Sequence, residues 1–214
     1  MNIKAVIFDM DGVILDSEKL YVRFWCEAGQ ACGYPFEVEH ALAIRSLARK
    51  YAIKRLKGFF GEEFVYDDVR NKRIKLMDAY VKEHGIDLKP YAEYALSELK
   101  NRGYRIALAT ATPPERAGRY LRSSGLYGYF DKIVCSAMVN LGKPEPDIYL
   151  KACEEVGFPP EDCIAVEDSP NGIESAYRAG CKAVMVPDMD EPDENTRRMT
   201  YAVVKNLKEL LDLC

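Results

Sequence analysis

The apolar positions along the chain change their period twice, and the changes divide it into three stretches. Residues 3–8 (IKAVIF) form an apolar run too short for a helix, stopped abruptly by Asp9-Met10-Asp11-Gly12. That is the pattern of a strand buried on both faces, as in a parallel sheet. From about Ser17 to Val81 the spacing turns helical, with Leu42, Ile44, Leu47, Tyr51 and Leu56 as examples and no convincing strand. Gly33-Tyr34-Pro35 and Lys57-Gly58 are predicted to divide this stretch into several helices. After Pro90 helix and strand alternate. The pattern predicts helices over 92–102, 114–124, 146–156, 171–179 and 207–213, and strands over 105–109, 132–135, 163–166 and 183–186. The acidic, proline-bearing stretch 188–194 reads as a surface loop. Such alternation implies an α/β class, with a parallel sheet, right-handed crossovers and helices on both faces. The expected organisation is a core of residues 1–15 and 85–214, interrupted after its first strand by an all-α insert of residues 16–84.

Composition narrows the classes. With 214 residues, 48% hydrophobic and 30% charged, the chain can bury one core plus a small accessory domain. A formal charge of −4 gives no footprint for nucleic acid or an anionic membrane. No apolar run reaches membrane-spanning length, and the short run before Asp9 is not a signal peptide. The seven cysteines are scattered without a close pair, and there are only two histidines, His40 and His84, so no zinc site is expected. The reading is a cytoplasmic protein with reduced cysteines.

In open parallel sheets, ligands bind beyond the carboxyl ends of the strands. The first expected strand delivers Asp9 and Asp11 there, and the second Thr110 and Thr112. The following loop brings Lys143, and the fourth strand Glu167 and Asp168. This set suits phosphoryl transfer. A carboxylate can attack phosphorus and split one hard hydrolysis into two easier steps. A second carboxyl two residues on can protonate the leaving oxygen and later activate water, best with a raised pKa. Clustered acids repel a phosphate unless a hard cation bridges them, and Mg2+ with oxygen ligands is the natural choice. A lysine and a threonine hydroxyl can hold the phosphoryl oxygens.

Four segments carry a family resemblance, in order: Asp9-Met10-Asp11-Gly12-Val13-Ile14-Leu15-Asp16-Ser17-Glu18, Leu108-Ala109-Thr110-Ala111-Thr112, Gly142-Lys143-Pro144-Glu145-Pro146-Asp147, and Val166-Glu167-Asp168-Ser169-Pro170-Asn171-Gly172. Together they resemble the motifs of the haloacid dehalogenase superfamily, and the insert resembles the small cap of its β-phosphoglucomutase-like branch. The resemblance implies a Rossmann-like core with an inserted helical cap. It implies Asp9 as nucleophile and metal ligand, and Asp11 as general acid and base with its backbone carbonyl on the metal. Thr110 and Lys143 would bind the phosphoryl group, with Asp168 and Glu167 as further metal ligands. Because Asp11 is present, it implies phosphoryl chemistry rather than dehalogenation.

Each motif alone has an ordinary reading as a strand cap, a turn, a helix start or β-branched strand residues. Their joint arrival at the strand ends of one sheet is what favours catalysis. In the cap, Tyr21 and Arg45 are the candidates for substrate contact, with Thr112 from the core. Tyr21 stands where mutases of this branch carry a histidine, and Asn71 falls near their cap lysine, so hydrolysis leads over phosphosugar mutation. A non-catalytic phosphate-binding protein is the third reading. The expected substrate is a small phosphorylated metabolite, a sugar phosphate or nucleoside monophosphate, acted on by a monomer.

Overall fold

The structure, a computed structural model, describes residues 3–214; the first two residues of the expected 1–15 segment lie outside the described residues. Its centre is strand β1 (Ala5–Phe8), which is fully buried and pairs in parallel with β2 (Arg105–Thr110) on one side and β4 (Cys163–Glu167) on the other. With β3 (Lys132–Cys135), β5 (Lys182–Met185) and β6 (Ala202–Val203), the sheet runs β3-β2-β1-β4-β5-β6, all parallel.

The alternation of side chains along β1 decides what covers each face. Val6 and Phe8 point to one side, with Ile106, Leu108, Ile164 and Val166. There they meet helices α5 (Ala92–Asn101), α6 (Pro114–Ser123) and α10 (Leu207–Leu210). Ala5 and Ile7 point to the other, with Ala107, Ala109, Ala165 and Ala183. These small residues bring α7 (Asp147–Val156) and α8 (Pro170–Ala179) close to the sheet. A strand buried on both faces in this way has no polar side to betray it, which is why it reads as a continuous apolar run.

The helical cap consists of α1 (Glu18–Ala31), α2 (Val38–Leu42), α3 (Arg49–Phe60) and α4 (Tyr66–His84). It has its own core of Val22, Trp25, Phe36, Leu56, Phe64 and Val69. Phe36 is fully buried, 5.9 Å from the Trp25 ring and 5.3 Å from that of Phe60. The chain leaves and re-enters the sheet through two segments that bond to each other. Asp16 N–H donates to the Asp87 carbonyl (2.8 Å), and Lys89 N–H to that of Ile14 (2.9 Å).

Some sequence expectations need correction. Gly58 does not break the cap: it lies inside α3, and the helix ends at Gly61, whose φ of 89° suits glycine. The expected strand over 3–8 forms a ladder only from Ala5, although Lys4 still hydrogen-bonds to the neighbouring strands' ends. Helix α9 (Glu194–Met199) and the two-residue β6 carried no pattern long enough to read. Expected helix 207–213 tightens into a 3-10 turn at Leu211. Among the described residues no helix is long and apolar enough to cross a membrane.

Candidate active site

The carboxyl ends of β1, β2 and β4 converge on one buried cluster. Backbone pairing carries Asp9 to the sheet edge, since its N–H still donates to the Val166 carbonyl at 2.9 Å. The chain then turns tightly, with Ile14 and Leu15 N–H both donating to the Met10 carbonyl. This turn holds Asp11 inward. One Asp11 oxygen accepts from the Ser17 hydroxyl (2.6 Å), the other from the Thr112 hydroxyl (2.9 Å). Burial and the neighbouring Asp9 charge raise the Asp11 carboxyl to about 6, against the pull of those two hydroxyls. At the end of β2, Thr110 is fully buried and its Oγ1 accepts from Thr112 N–H at 3.0 Å, which leaves the Thr110 hydroxyl proton free to donate.

Lys143 reaches the cluster from the loop between β3 and α7. It is 1% exposed, with Nζ 2.9 Å from Asp9 Oδ1 and 2.6 Å from Glu167 Oε1, and it donates to the Ala109 carbonyl at 3.2 Å. Burial works against its proton, but the Asp9 and Glu167 carboxylates outweigh it and hold Lys143 charged, above its ordinary range. Glu167 Oε1 also accepts from the Tyr149 hydroxyl (2.5 Å). Burial pushes the carboxyls of both Glu167 and Asp168 upward.

The arrangement fits a hard cation. Asp9, Glu167 and Asp168 each offer a carboxylate oxygen, all within 4.8 Å of one another. Glu167 Oε2 and Asp168 Oδ1 are buried with neither a hydrogen-bond donor nor a paired cation, and Asp168 Oδ2 has only the Arg45 guanidinium beside it. A buried carboxylate oxygen left unpaired is costly, and a coordinated cation is one way to offset that cost. Two glycines make the room. A Cβ on Gly12 (φ 79°) would stand 2.2 Å from Asp168 Oδ2, and one on Gly172 would stand 2.0 Å from Glu167 Oε2. Such an all-oxygen set suits Mg2+ rather than zinc.

Above this floor lies a cavity of about 390 Å³ between core and cap, lined by Asp9, Asp11, Thr112 and Lys143 below and by residues of α1, α3 and α4 above. The structure therefore brings Asp9, Asp11, Thr110, Thr112, Lys143, Glu167 and Asp168 together. Tyr21 also lines the cavity, its hydroxyl 3.4 Å from Thr112 Oγ1. Arg45 lines it too, but its guanidinium is engaged by acids. Nη2 stands 2.9 Å from Asp190 Oδ2 and 3.3 Å from Asp168 Oδ2, and donates to the Asp168 carbonyl at 3.1 Å. Ser17, Tyr149, Arg73 and the loop acids Asp188 and Asp190 were not singled out from the sequence. Asp190 holds Arg45 and Asp188 holds Lys89 (2.7 Å), so the expected surface loop also reaches the acid cluster through Arg45. The signal was its position after β5, on the same rim as the other strand ends.

Three strand ends and one loop supplying an Asp-x-Asp pair, a threonine, a paired acid and a buried lysine define a class, and residues 3–180 match the haloacid dehalogenase-like hydrolase family. The chain belongs to that family, in its β-phosphoglucomutase- and CbbY-like phosphatase branch, whose members act on phosphorylated small molecules. It is 32% identical over 183 residues to a phosphorylated carbohydrates phosphatase of Thermotoga maritima, covering 85% of this chain and 83% of that one. Its identity to the beta-phosphoglucomutase of Bacillus subtilis is 30% over 191 residues, with 86% and 83% covered. The structure superposes on CbbY from Rhodobacter sphaeroides in complex with phosphate with a TM-score of 0.77, at 27% identity, covering 97% of this chain and 96% of that one.

Proposed function

We propose that this protein is a magnesium-dependent phosphomonoesterase that cleaves a small phosphorylated metabolite, a sugar phosphate or nucleoside monophosphate, through an aspartyl-phosphate on Asp9. The observation that carries this reading is Lys143 wedged between Asp9 and Glu167 beside the unpartnered oxygens Glu167 Oε2 and Asp168 Oδ1, at the floor of a metabolite-sized cavity. Asp9, Glu167, Asp168 and the main-chain carbonyl of Asp11 would hold Mg2+, which when bound offsets the charge of acids and phosphate.

An Asp9 oxygen attacks phosphorus as the bond to the leaving oxygen breaks, and Asp11, whose raised pKa lets it carry a proton far more readily than an ordinary carboxyl, gives its proton to that oxygen. Asp11, now a carboxylate, takes a proton from water. The water oxygen attacks the same phosphorus and the Asp9–phosphorus bond breaks, releasing phosphate. Lys143 and the free Thr110 hydroxyl hold the phosphoryl oxygens throughout. Thr112, Tyr21 and Arg45 face the remainder of the substrate. We take 16–84 as the lid and 1–15 with 85–214 as the base. The paired segments around Ile14, Asp16, Asp87 and Lys89 are then the natural hinge.

Mutation of a phosphosugar is the second reading, supported by the Bacillus relative. Against it, Asn71 and Lys72 are exposed and neither lines the cavity, so the cap offers no lysine there. The similarity to a phosphatase of phosphorylated carbohydrates supports sugar phosphates within the substrate class. The test is phosphate release with magnesium across sugar phosphates and nucleotides, following glucose 6-phosphate formed from β-glucose 1-phosphate in parallel. Phosphate without isomer is expected. Isomer with little phosphate makes the protein a mutase, and full activity in excess chelator removes the magnesium assignment.

A further inference from the structure

The helical wall of the cavity carries a charge that the proposed hydrolysis leaves unused. Arg73, on α4, is 6% exposed and lines the cavity. Its guanidinium lies 4.9 Å from the centre of the Tyr21 ring and 5.2 Å from that of Trp25. Its Nε has no hydrogen-bond partner, and Nη1 reaches only Met77 Sδ, at 4.0 Å. Among the described residues no carboxylate pairs with it. Three of the other four cavity arginines do have acids: Arg45 has Asp168 and Asp190, Arg49 has Asp67, and Arg116 has Asp78 at 3.6 Å.

An unpaired buried cation is expensive. Two aromatic faces recover about 2 kcal/mol each, but they satisfy none of the guanidinium N–H donors left without a partner. The surroundings add to the strain. Burial first, then the charges of Arg116 and Arg70, pull the Arg73 proton affinity below the ordinary arginine range, yet a guanidinium does not lose its proton in a protein. A charge kept under those conditions is matched by something that enters the cavity. Its placement gives the size of that group's carrier. Tyr21 presents its face to Arg73 and its hydroxyl to Thr112, and Thr112 donates to Asp11. Arg73 therefore sits one tyrosine ring away from the reacting end.

We infer that Arg73 is a specificity-determining residue that receives a second anionic group of the substrate, so that the protein selects phosphomonoesters bearing another phosphate or a carboxylate over those ending in hydroxyls. This rests on the phosphomonoesterase reading of the site, which it narrows. Arg70, also without a carboxylate partner among the described residues and lining the same wall, strengthens the field that attracts that group.

Two matched pairs test it: 3-phosphoglycerate against glycerol 3-phosphate for a carboxylate, and glucose 1,6-bisphosphate against glucose 6-phosphate for a phosphate. For at least one pair, wild type should favour the doubly anionic member in kcat/KM by about thirtyfold or more, the low end for one partner of a buried charge pair. Arg73→Met should bring that ratio close to one, mainly through KM, and Arg73→Lys should restore part of it. Ratios near one for both pairs in wild type, or a wild-type preference that survives Arg73→Met, overturn the inference. Calorimetric binding of the same four compounds to Asp9→Asn protein separates the two readings. A binding preference without any phosphate release by wild type keeps Arg73's role and removes the phosphatase reading. Phosphate release without any preference does the reverse.

Discussion

The two ends of the cavity follow opposite electrostatic plans. At the sheet end, the lysine and the arginine that reach the acids are each shared between carboxylates: Lys143 between Asp9 and Glu167, Arg45 between Asp168 and Asp190. At the helical end, Arg70 and Arg73 have no acid among the described residues. The sheet end is thus an acid cluster short of positive charge, and the helical end a positive wall short of negative charge. In the proposed reading, a phosphorylated substrate with its cation would complete both. In that reading the contrast also separates chemistry from selection, because the groups assigned to reaction are held mainly by strand ends while those assigned to selection ride on helices that pack among themselves.

The largest effect should come from the sheet end. Asp9→Asn removes the oxygen proposed as nucleophile while keeping shape, and the rate of magnesium-dependent phosphate release should fall by on the order of 10⁴ or more. The thermal melt should remain cooperative, which excludes simple unfolding as the cause. Near-normal turnover would end the assignment of chemistry to this end of the cavity.

Next comes Phe36→Ala, which opens the cap core and should cost about 3–5 kcal/mol locally. Hydrogen exchange should quicken in α1 to α4 while β1 amides stay protected, if the two ends belong to separately stable units. Equal loss of protection in both would merge them into one unit and dissolve the comparison.

Gly12→Ala should follow, lowering kcat/KM about 10²-fold, or roughly 2.7 kcal/mol at 1.36 kcal/mol per decade. The added Cβ meets Asp168 Oδ2 at 2.2 Å on a backbone with φ 79°. Half-maximal activity should then need more magnesium. Gly103→Ala is the control, with a similar φ of 82° but nothing within 4 Å of the new Cβ. It should lose about 1 kcal/mol of stability and no magnesium response. An identical magnesium response in both variants would mean that backbone strain, not the crowding of Asp168, governs the site.

The same contrast explains what could be read from the sequence. Asp9, Thr110, Glu167 and Asp168 each lie at or one residue beyond the end of a short apolar run, and parallel pairing puts such positions on one rim whatever the details of the loops. Lys143 was legible only through its motif, since nothing in Gly142-Lys143-Pro144 alone says that a loop lysine will be buried. Arg73 gave no signal. It sits among Arg70, Lys72 and Lys75 in a stretch whose charges look uniformly solvated, and only the packing of α1 against α4 shows which one turns inward. Gly58 misled because a glycine after a lysine resembles a helix stop, whereas Phe59 and Phe60 carry α3 on for another two residues: Phe60 packs on Phe36 and Phe64, and Phe59 edges onto His40.

The smallest effect lies away from both ends of the cavity. Asp131, just before β3, accepts from Ile106 N–H at 2.8 Å and pairs with Lys100 and Arg105 at 3.3 Å. Partial burial works against its charge, but the Ile106 N–H and the two cations outweigh it and hold the carboxyl below its ordinary range. A carboxyl depressed on folding stabilises the native state above its unfolded pKa of about 3.9, and that stabilisation is lost as pH falls through the lower folded value. With its side chain about one-fifth exposed, the paired charge is worth about 1 kcal/mol. Asp131→Asn should therefore lie about 1 kcal/mol below wild type at pH 7 in urea unfolding, and the gap should narrow below about pH 4. Turnover should not change, because an acid already satisfied at the edge of the sheet has no share in the cavity's imbalance. A gap that stays constant from pH 7 to 3 would mean that the loss comes from packing or hydrogen bonding that asparagine fails to reproduce, not from the Asp131 charge.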